Sequence, residues 1–430
     1  PTPSTDVPFT YPEQTYQEIL NAVGDYVLYP DPGEAYSDSG VDAFLERLYH
    51  AADLRMQTFA YLRQRENPDF AMMVFNGTDT VSHAMWKYMD QSHPLHDPSK
   101  YAKYGNAIRD YYQHVDSLLG GILSSLDENT TLIVMSDHGF GPFHKFIHVN
   151  NWLIREEFMS IKSGALSRVK KACFQAGFSP MNVYNTLMQL GFGRLKREVV
   201  RGQGQDMLKT LFLSFDDVDW ERTVAYTLGN VGQIYLNVAG REPSGRVQPG
   251  QEYERIRTQI MEHLLELRDP DTRERVVEAV YRREDIYHGD YLDKAPDIVF
   301  MPTRLEYFGF GEYEFGSDKI IEAMERGISG THRMNGIFLA YGAAVEPGVK
   351  VKNASLVDLA PTILHLMSAP GPENMDGRIL QEAITTGFEP QVVEDVTWTD
   401  ADDDFENGQG LTEDQKRVVT ERLRGLGYVG

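Results

Sequence analysis

The apolar positions along the first 135 residues alternate between two rhythms. Residues 11–28 and 41–66 carry apolar side chains at helical spacing, and in the second run Phe44, Leu45, Leu48, Ala51, Ala52, Leu54, Phe59 and Leu62 would share one face. The run 69–75, bounded by Pro68 and Gly77, has the length and apolarity of a buried strand. Residues 99–127 return to the helical rhythm through Tyr104, Ile108, Tyr111, Tyr112, Val115, Leu118, Leu119, Ile122 and Leu126, and 131–135 is a second strand-like run. Strand, long helix and strand predict a right-handed crossover in a largely parallel sheet.

Beyond these lies a stretch of different character. Residues 160–209 have a helical pattern broken at Gly177 to Pro180 and at Gly191 to Gly193, as expected of an inserted cap spanning about 157–215. Strand-like runs follow at 223–228, 233–238, 276–281, 295–300 and 336–341, with a helix at 250–268. Asp358 is placed to cap a last core helix whose first turn holds Pro361, where no N–H partner is needed. The body of the chain, 1–388, then gives way to 389–430. There residues 389–408 hold eight acids and no Lys or Arg, a solvated linker, before a short closing helix at about 411–425.

Charge narrows the function classes. With 41 Lys+Arg against 64 Asp+Glu the net charge is -23, which excludes a nucleic-acid duplex surface over most of the molecule. Residues 160–209 run against this trend, with nine Lys or Arg and two acids, a local +7 that is either a solvated basic helix pair or a lid attracting an anionic substrate. The single cysteine, Cys173, rules out an internal disulfide and leaves a reducing compartment such as the cytoplasm slightly preferred. No run of about 18 apolar residues predicts a membrane span.

The candidate chemistry sits at the ends of the predicted strands. After 131–135 the chain reads Ser136-Asp137-His138-Gly139-Phe140-Gly141, two adjacent metal-ligand types followed by glycines that allow a sharp turn. After 69–75 come Asp79 and His83, four apart and therefore on one face if this segment is helical. His332 lies in a polar turn, 330–336, immediately before the strand at 336–341; a histidine bonded to a backbone carbonyl is the alternative there. His144 and Arg333 are candidates for substrate contact, and His148 for either that or an ordinary polar role.

Together Thr78-Asp79-x-x-x-His83, the 136–141 motif and Gly330-Thr-His332-Arg-Met-Asn-Gly336 resemble the alkaline phosphatase superfamily, and within it the type I phosphodiesterase/nucleotide pyrophosphatase branch. The resemblance continues into 357–364 and Met375-Asp-Gly-Arg378. It implies an α/β fold, an alkaline phosphatase-like sandwich with a largely parallel central sheet flanked by helices, plus a helical insertion. It also implies two divalent metal ions, Zn²⁺ or alternatively Mn²⁺, one held by Asp79, His83 and His332 and the other by Asp137 and His138. The activity implied is hydrolysis of small anionic phosphate esters or phosphodiesters through a covalent phospho-enzyme.

The family pattern also requires an Asp ligand at the end of a first strand and a Thr or Ser nucleophile at a helix start, upstream of Asp79. No strand with a terminal Asp precedes residue 69, and Thr2, Ser4, Thr5, Asp6 and Thr10 follow no apolar strand. The expectation is therefore an N-terminally incomplete domain whose nucleophile lies upstream of this chain. A superfamily member without activity, kept for metal binding or interaction, is the alternative.

Overall fold

The computed structural model of this protein describes residues 9–24, 26–28, 30, 40–189, 211–229, 232–309, 315–324, 327–385 and 392–393. The predicted closing helix, the acidic block at 389–408 apart from two residues, the 190–210 part of the predicted cap, and Thr2, Ser4, Thr5 and Asp6 lie outside the described residues.

The helical rhythms of the N-terminal third are realised as α1 (Thr15–Val23), α2 (Val41–Glu66) and α3 (Gly77–Met89). The single helix expected over 99–127 is two. Asp97 caps α4 (Pro98–Tyr104) by accepting from the Ser99 amide, Gly105 ends it, and α5 (Ala107–Leu123) restarts the apolar face. The next elements are β1 (Leu132–Met135), β2 (Gly139–Pro142), β3 (Lys145–Ile147), α6 (Val149–Arg155), α7 (Ala165–Gln175) and α8 (Pro180–Gln189). They are followed by β4 (Ala225–Tyr226), β5 (Gln233–Leu236), α9 (Gln251–Glu266), β6 (Val277–Arg282), β7 (Ile298–Pro302), β8 (Tyr307–Gly309) and β9 (Ile321–Ala323). The series closes with β10 (Gly330–Arg333), β11 (Phe338–Tyr341) and α10 (Leu359–Leu366).

These elements divide into two compact units, one from the chain up to Gly141 together with the part from Gly327 on, the other from Pro142 to Arg326. In the first, α2, α3, α4 and α5 bury a core of Val41, Phe44, Leu48, Val81, Met85 and Tyr111. The i, i+4 spacing of Phe44 and Leu48 on α2 and of Val81 and Met85 on α3 supplies these interlocking faces. In the second unit the sheet β4-β5-β7-β6 is antiparallel throughout and packs with α6 and α9 around Trp152, Ile234, Leu236, Ile260, Val277 and Ile298. Buried Asp297 fixes this sheet: it accepts from the Leu236 amide at 2.7 Å, from Tyr253 at 2.8 Å and from both arms of Arg241. A short second sheet, β8-β3-β9, pairs β3 parallel with β8 and antiparallel with β9.

The largely parallel central sheet is not what these residues form. β1 pairs antiparallel with β11, Leu132 opposite Tyr341, and β10 pairs with β2. The run 69–75 belongs to no ladder and leaves Phe70, Met72 and Val74 exposed, as are Leu339 and Tyr341 on β11. The crossover rule presupposes that both strands enter one sheet; here the first has no hydrogen-bonded neighbour among the described residues, and β1 takes a partner from much later in the chain. α10 starts after Asp358 and has Pro361 in its first turn, but the Asp358 carboxylate does not cap it. That carboxylate accepts instead from the amides of Ser355 and Arg378 and so ties the 357–364 motif to 375–378. Among the described residues no helix is long and apolar enough to cross a membrane.

Candidate metal centre

The site lies wholly in the first unit. Asp79 stands in the first turn of α3, where the helix N-terminus favours a carboxylate, and one turn on His83 faces the same way, its Nε2 3.4 Å from Asp79 Oδ1. The start of α3 fits closely under Tyr111, since any Cβ at Gly77 would overlap the phenol. Its far end is pinned by Ser329, whose amide donates to the His83 carbonyl at 2.7 Å and whose hydroxyl accepts from Lys87 N.

β10 delivers the third group. His332 belongs to a strand rather than to the turn expected, and its Nε2 lies 3.3 Å from Asp79 Oδ1 and 3.1 Å from His83 Nε2. Gly330, two residues earlier, is required by close approach: a Cβ there would meet the Ser82 carbonyl and the Phe140 ring. Its own carbonyl accepts from His83 Nδ1 at 2.7 Å, which turns the Nε2 lone pair of His83 toward Asp79.

The end of β1 contributes Asp137 and His138. Ser136 fixes that end by exchanging hydrogen bonds with Ile337: its amide donates to the Ile337 carbonyl and its hydroxyl accepts from the Ile337 amide. His138 Nδ1 donates to the Gly139 carbonyl at 3.0 Å, leaving Nε2 3.7 Å from Asp79 Oδ1. Asp137 is exposed, accepts from the His138 amide, and has its other oxygen 3.6 Å from His138 Nε2. The rings of His138 and His332 stack at 3.8 Å.

Thus three of the predicted ligands, His83, His138 and His332, converge on Oδ1 of a fourth, Asp79, while Asp137 stands at the edge, close only to His138. Asp79 Oδ1 is buried and has no hydrogen-bond partner of proper geometry, with three imidazole nitrogens within 3.7 Å. Burial pushes the Asp79 carboxyl up, but His332 and His83 beside it outweigh this and hold it far below the ordinary carboxylate range. Donor atoms of Asp79, His138 and His332 all lie within 4.8 Å of one another. The Asp79–His83–His332 triangle, with edges of 3.4, 3.3 and 3.1 Å, matches a face of a tetrahedron whose bonds of about 2.0–2.1 Å give edges of roughly 3.3 Å. The donor set of carboxylate and neutral imidazoles therefore fits a divalent transition metal.

The two substrate candidates fall in different units. Arg333 donates to the carbonyls of Thr331 and His332, and its guanidinium lies so close over Gly141 that a Cβ there would collide with it. His144 lies in the second unit, its Nδ1 3.5 Å from Glu306. His148 is buried against Glu322 at 3.2 Å, an ordinary polar role. Phe140 goes unnoticed in the sequence beyond its place in a motif. Its ring meets His83 edge-on at 4.7 Å, His332 at 5.5 Å and His138 at 5.9 Å, and so supports all three imidazoles. An aromatic between two glycines after an Asp-His pair was the available signal.

Comparison with known proteins gives one finding. A family model described as type I phosphodiesterase / nucleotide pyrophosphatase matches residues 3–315. No curated protein and no solved structure matches the chain.

Proposed function

The chain belongs to the type I phosphodiesterase / nucleotide pyrophosphatase family, and from that premise we propose that it is a metal-dependent hydrolase of phosphate esters or phosphodiesters. Asp79, His83 and His332 would hold one divalent cation, Zn²⁺ or Mn²⁺, and Asp137 and His138 a second. The observation that carries this reading is the buried Asp79 oxygen, which has no hydrogen-bond partner and is ringed by three imidazole nitrogens. Cations bound there would neutralise the nonbridging phosphate oxygens and lower the pKa of an attacking hydroxyl.

The chain's own residues set the ligand chemistry. The carbonyls of Gly330 and Gly139 hold His83 and His138 as Nδ1–H tautomers with Nε2 free to coordinate. The low Asp79 pKa keeps the carboxylate ionised over the whole working range. Arg333, beside His332, offers a cation to an anionic phosphate. The attacking hydroxyl of the covalent phospho-enzyme is assigned to no residue of this chain.

The test is elemental analysis of the purified protein together with turnover of bis(p-nitrophenyl) phosphate before and after chelation. Bound transition metal, and hydrolysis lost on chelation and restored by Zn²⁺ or Mn²⁺, are expected. A protein that takes up no transition metal sinks the proposal.

A further inference from the structure

Three imidazoles crowd one carboxylate oxygen, and their ring geometry keeps them from serving a single cation together. Asp79 Oδ1 lies 3.4 Å from His83 Nε2, 3.3 Å from His332 Nε2 and 3.7 Å from His138 Nε2. An imidazole binds a metal through the one in-plane lone pair of its unprotonated nitrogen. The His138 and His332 rings stack at 3.8 Å with only 24° between their planes, so their lone pairs run side by side. A cation midway between those two nitrogens would stand well out of both ring planes. His83 and His332 are tilted by 57°, with their Nε2 atoms 3.1 Å apart, and can converge. His332 therefore shares a position with His83, while His138 points to a second position beside it. There His138 has Asp137, whose Oδ2 is 3.6 Å from its Nε2, and the pair is one ligand short of the first position.

We infer that Asp79 Oδ1 supplies that third ligand and bridges two divalent cations as a single oxygen. The inference rests on the metal centre proposed above and adds Asp79 to the ligands of its second cation. A carboxylate oxygen has two lone pairs where an imidazole nitrogen has one. All three short contacts fall on Oδ1, and Oδ1 is buried with no hydrogen bond to occupy either lone pair. Donors on one cation, at bonds of about 2.1 Å, can stand no more than about 4.2 Å apart. His138 Nε2 is within that limit of both Asp79 Oδ1 and Asp137 Oδ2. Each position then has three ligands from this chain, and the two cations depend on the same oxygen.

The test is electron paramagnetic resonance of the chelator-treated full chain titrated with Mn²⁺, which reads ligation directly and needs no turnover. Two cations joined by one oxygen are exchange-coupled, and a spectrum with hyperfine lines at half the spacing of an isolated ion is expected at saturation. His138→Ala should keep one Mn²⁺ with the isolated-ion spectrum. Asp79→Asn should weaken both cations by at least about tenfold, the lower bound for losing a group that merely orients a ligand. Two cations with isolated-ion spectra, a single cation at saturation, or an Asp79→Asn variant that weakens only one of two overturns the bridge while leaving a metal centre in place. Uptake of neither Mn²⁺ nor Zn²⁺ overturns the centre itself, and the bridge with it.

Discussion

His83 and His332 approach with their Nε2 atoms 3.1 Å apart, and a neutral His83, whose one proton is on Nδ1 against the Gly330 carbonyl, can only accept in that contact. A neutral His332 carries at most one proton on Nε2, yet that nitrogen faces two acceptors, His83 and Asp79 Oδ1. One acceptor must go without. A cation shared by all three atoms removes the conflict, and this conflict is the physical content of the proposed site.

Metal should therefore stabilise the fold measurably. At a hundredfold excess over its dissociation constant, Zn²⁺ or Mn²⁺ should add about 2.7 kcal/mol to the unfolding free energy, read as a rise in thermal midpoint. Asp79→Asn should abolish both the rise and the bound metal, while keeping the shape of the residue at the start of α3.

Gly330→Ala tests the orienting carbonyl. A Cβ at 330 meets the Ser82 carbonyl and Phe140, so the β10 backbone must shift and the His83 hydrogen bond with it. Metal affinity should fall about 10- to 100-fold, the range for loss of a group that orients a ligand. Titration of the chelator-treated protein checks this; unchanged affinity would mean the Gly330 carbonyl is incidental.

Asp217 anchors α7, and its contribution should depend on pH. Burial pushes this carboxyl up, but Ser167 and Lys170 more than offset it and hold it below the ordinary range. A depressed folded value means stability that is present above the unfolded carboxylate pKa of about 3.9 and lost as pH falls through the folded one. Urea midpoints of the native protein should fall more steeply below about pH 4 than those of Asp217→Asn, whose neutral amide does not titrate.

Asp297→Ala should be the most damaging of these changes. It leaves the Leu236 amide, Tyr253 and Arg241 without their common acceptor inside the second unit, at a cost of about 3 kcal/mol or more. Chemical unfolding checks it, and a loss below about 1 kcal/mol would show that water replaces the carboxylate cheaply.

The residues of the proposed site were legible in the sequence because each is placed by local geometry. Asp79 and His83 need only a helix to share a face, and Asp137 and His138 need only the end of β1. The same local rules reached α2 and α9 almost to their ends. The sheet was not legible. An apolar run announces a strand but not its neighbour, so 69–75 read as strand yet pairs with nothing among the described residues, and β1 found an antiparallel partner. The break between α4 and α5 followed from Gly105, which a long apolar periodicity overrode. Phe140 and Ser329 act through space on histidines distant in sequence, and no spacing rule connects them.

The hydrogen bond from His83 to the Gly330 carbonyl spans 247 residues of chain. On a ribosome moving at about 5–20 residues per second, roughly 12 to 50 seconds separate the emergence of its two ends. Throughout that interval Asp79 and His83, then Asp137 and His138, exist without β10. The proposed centre is thus completed late in synthesis, and a cation held by all three of Asp79, His83 and His332 would be captured only after the intervening residues are translated, not when α3 folds.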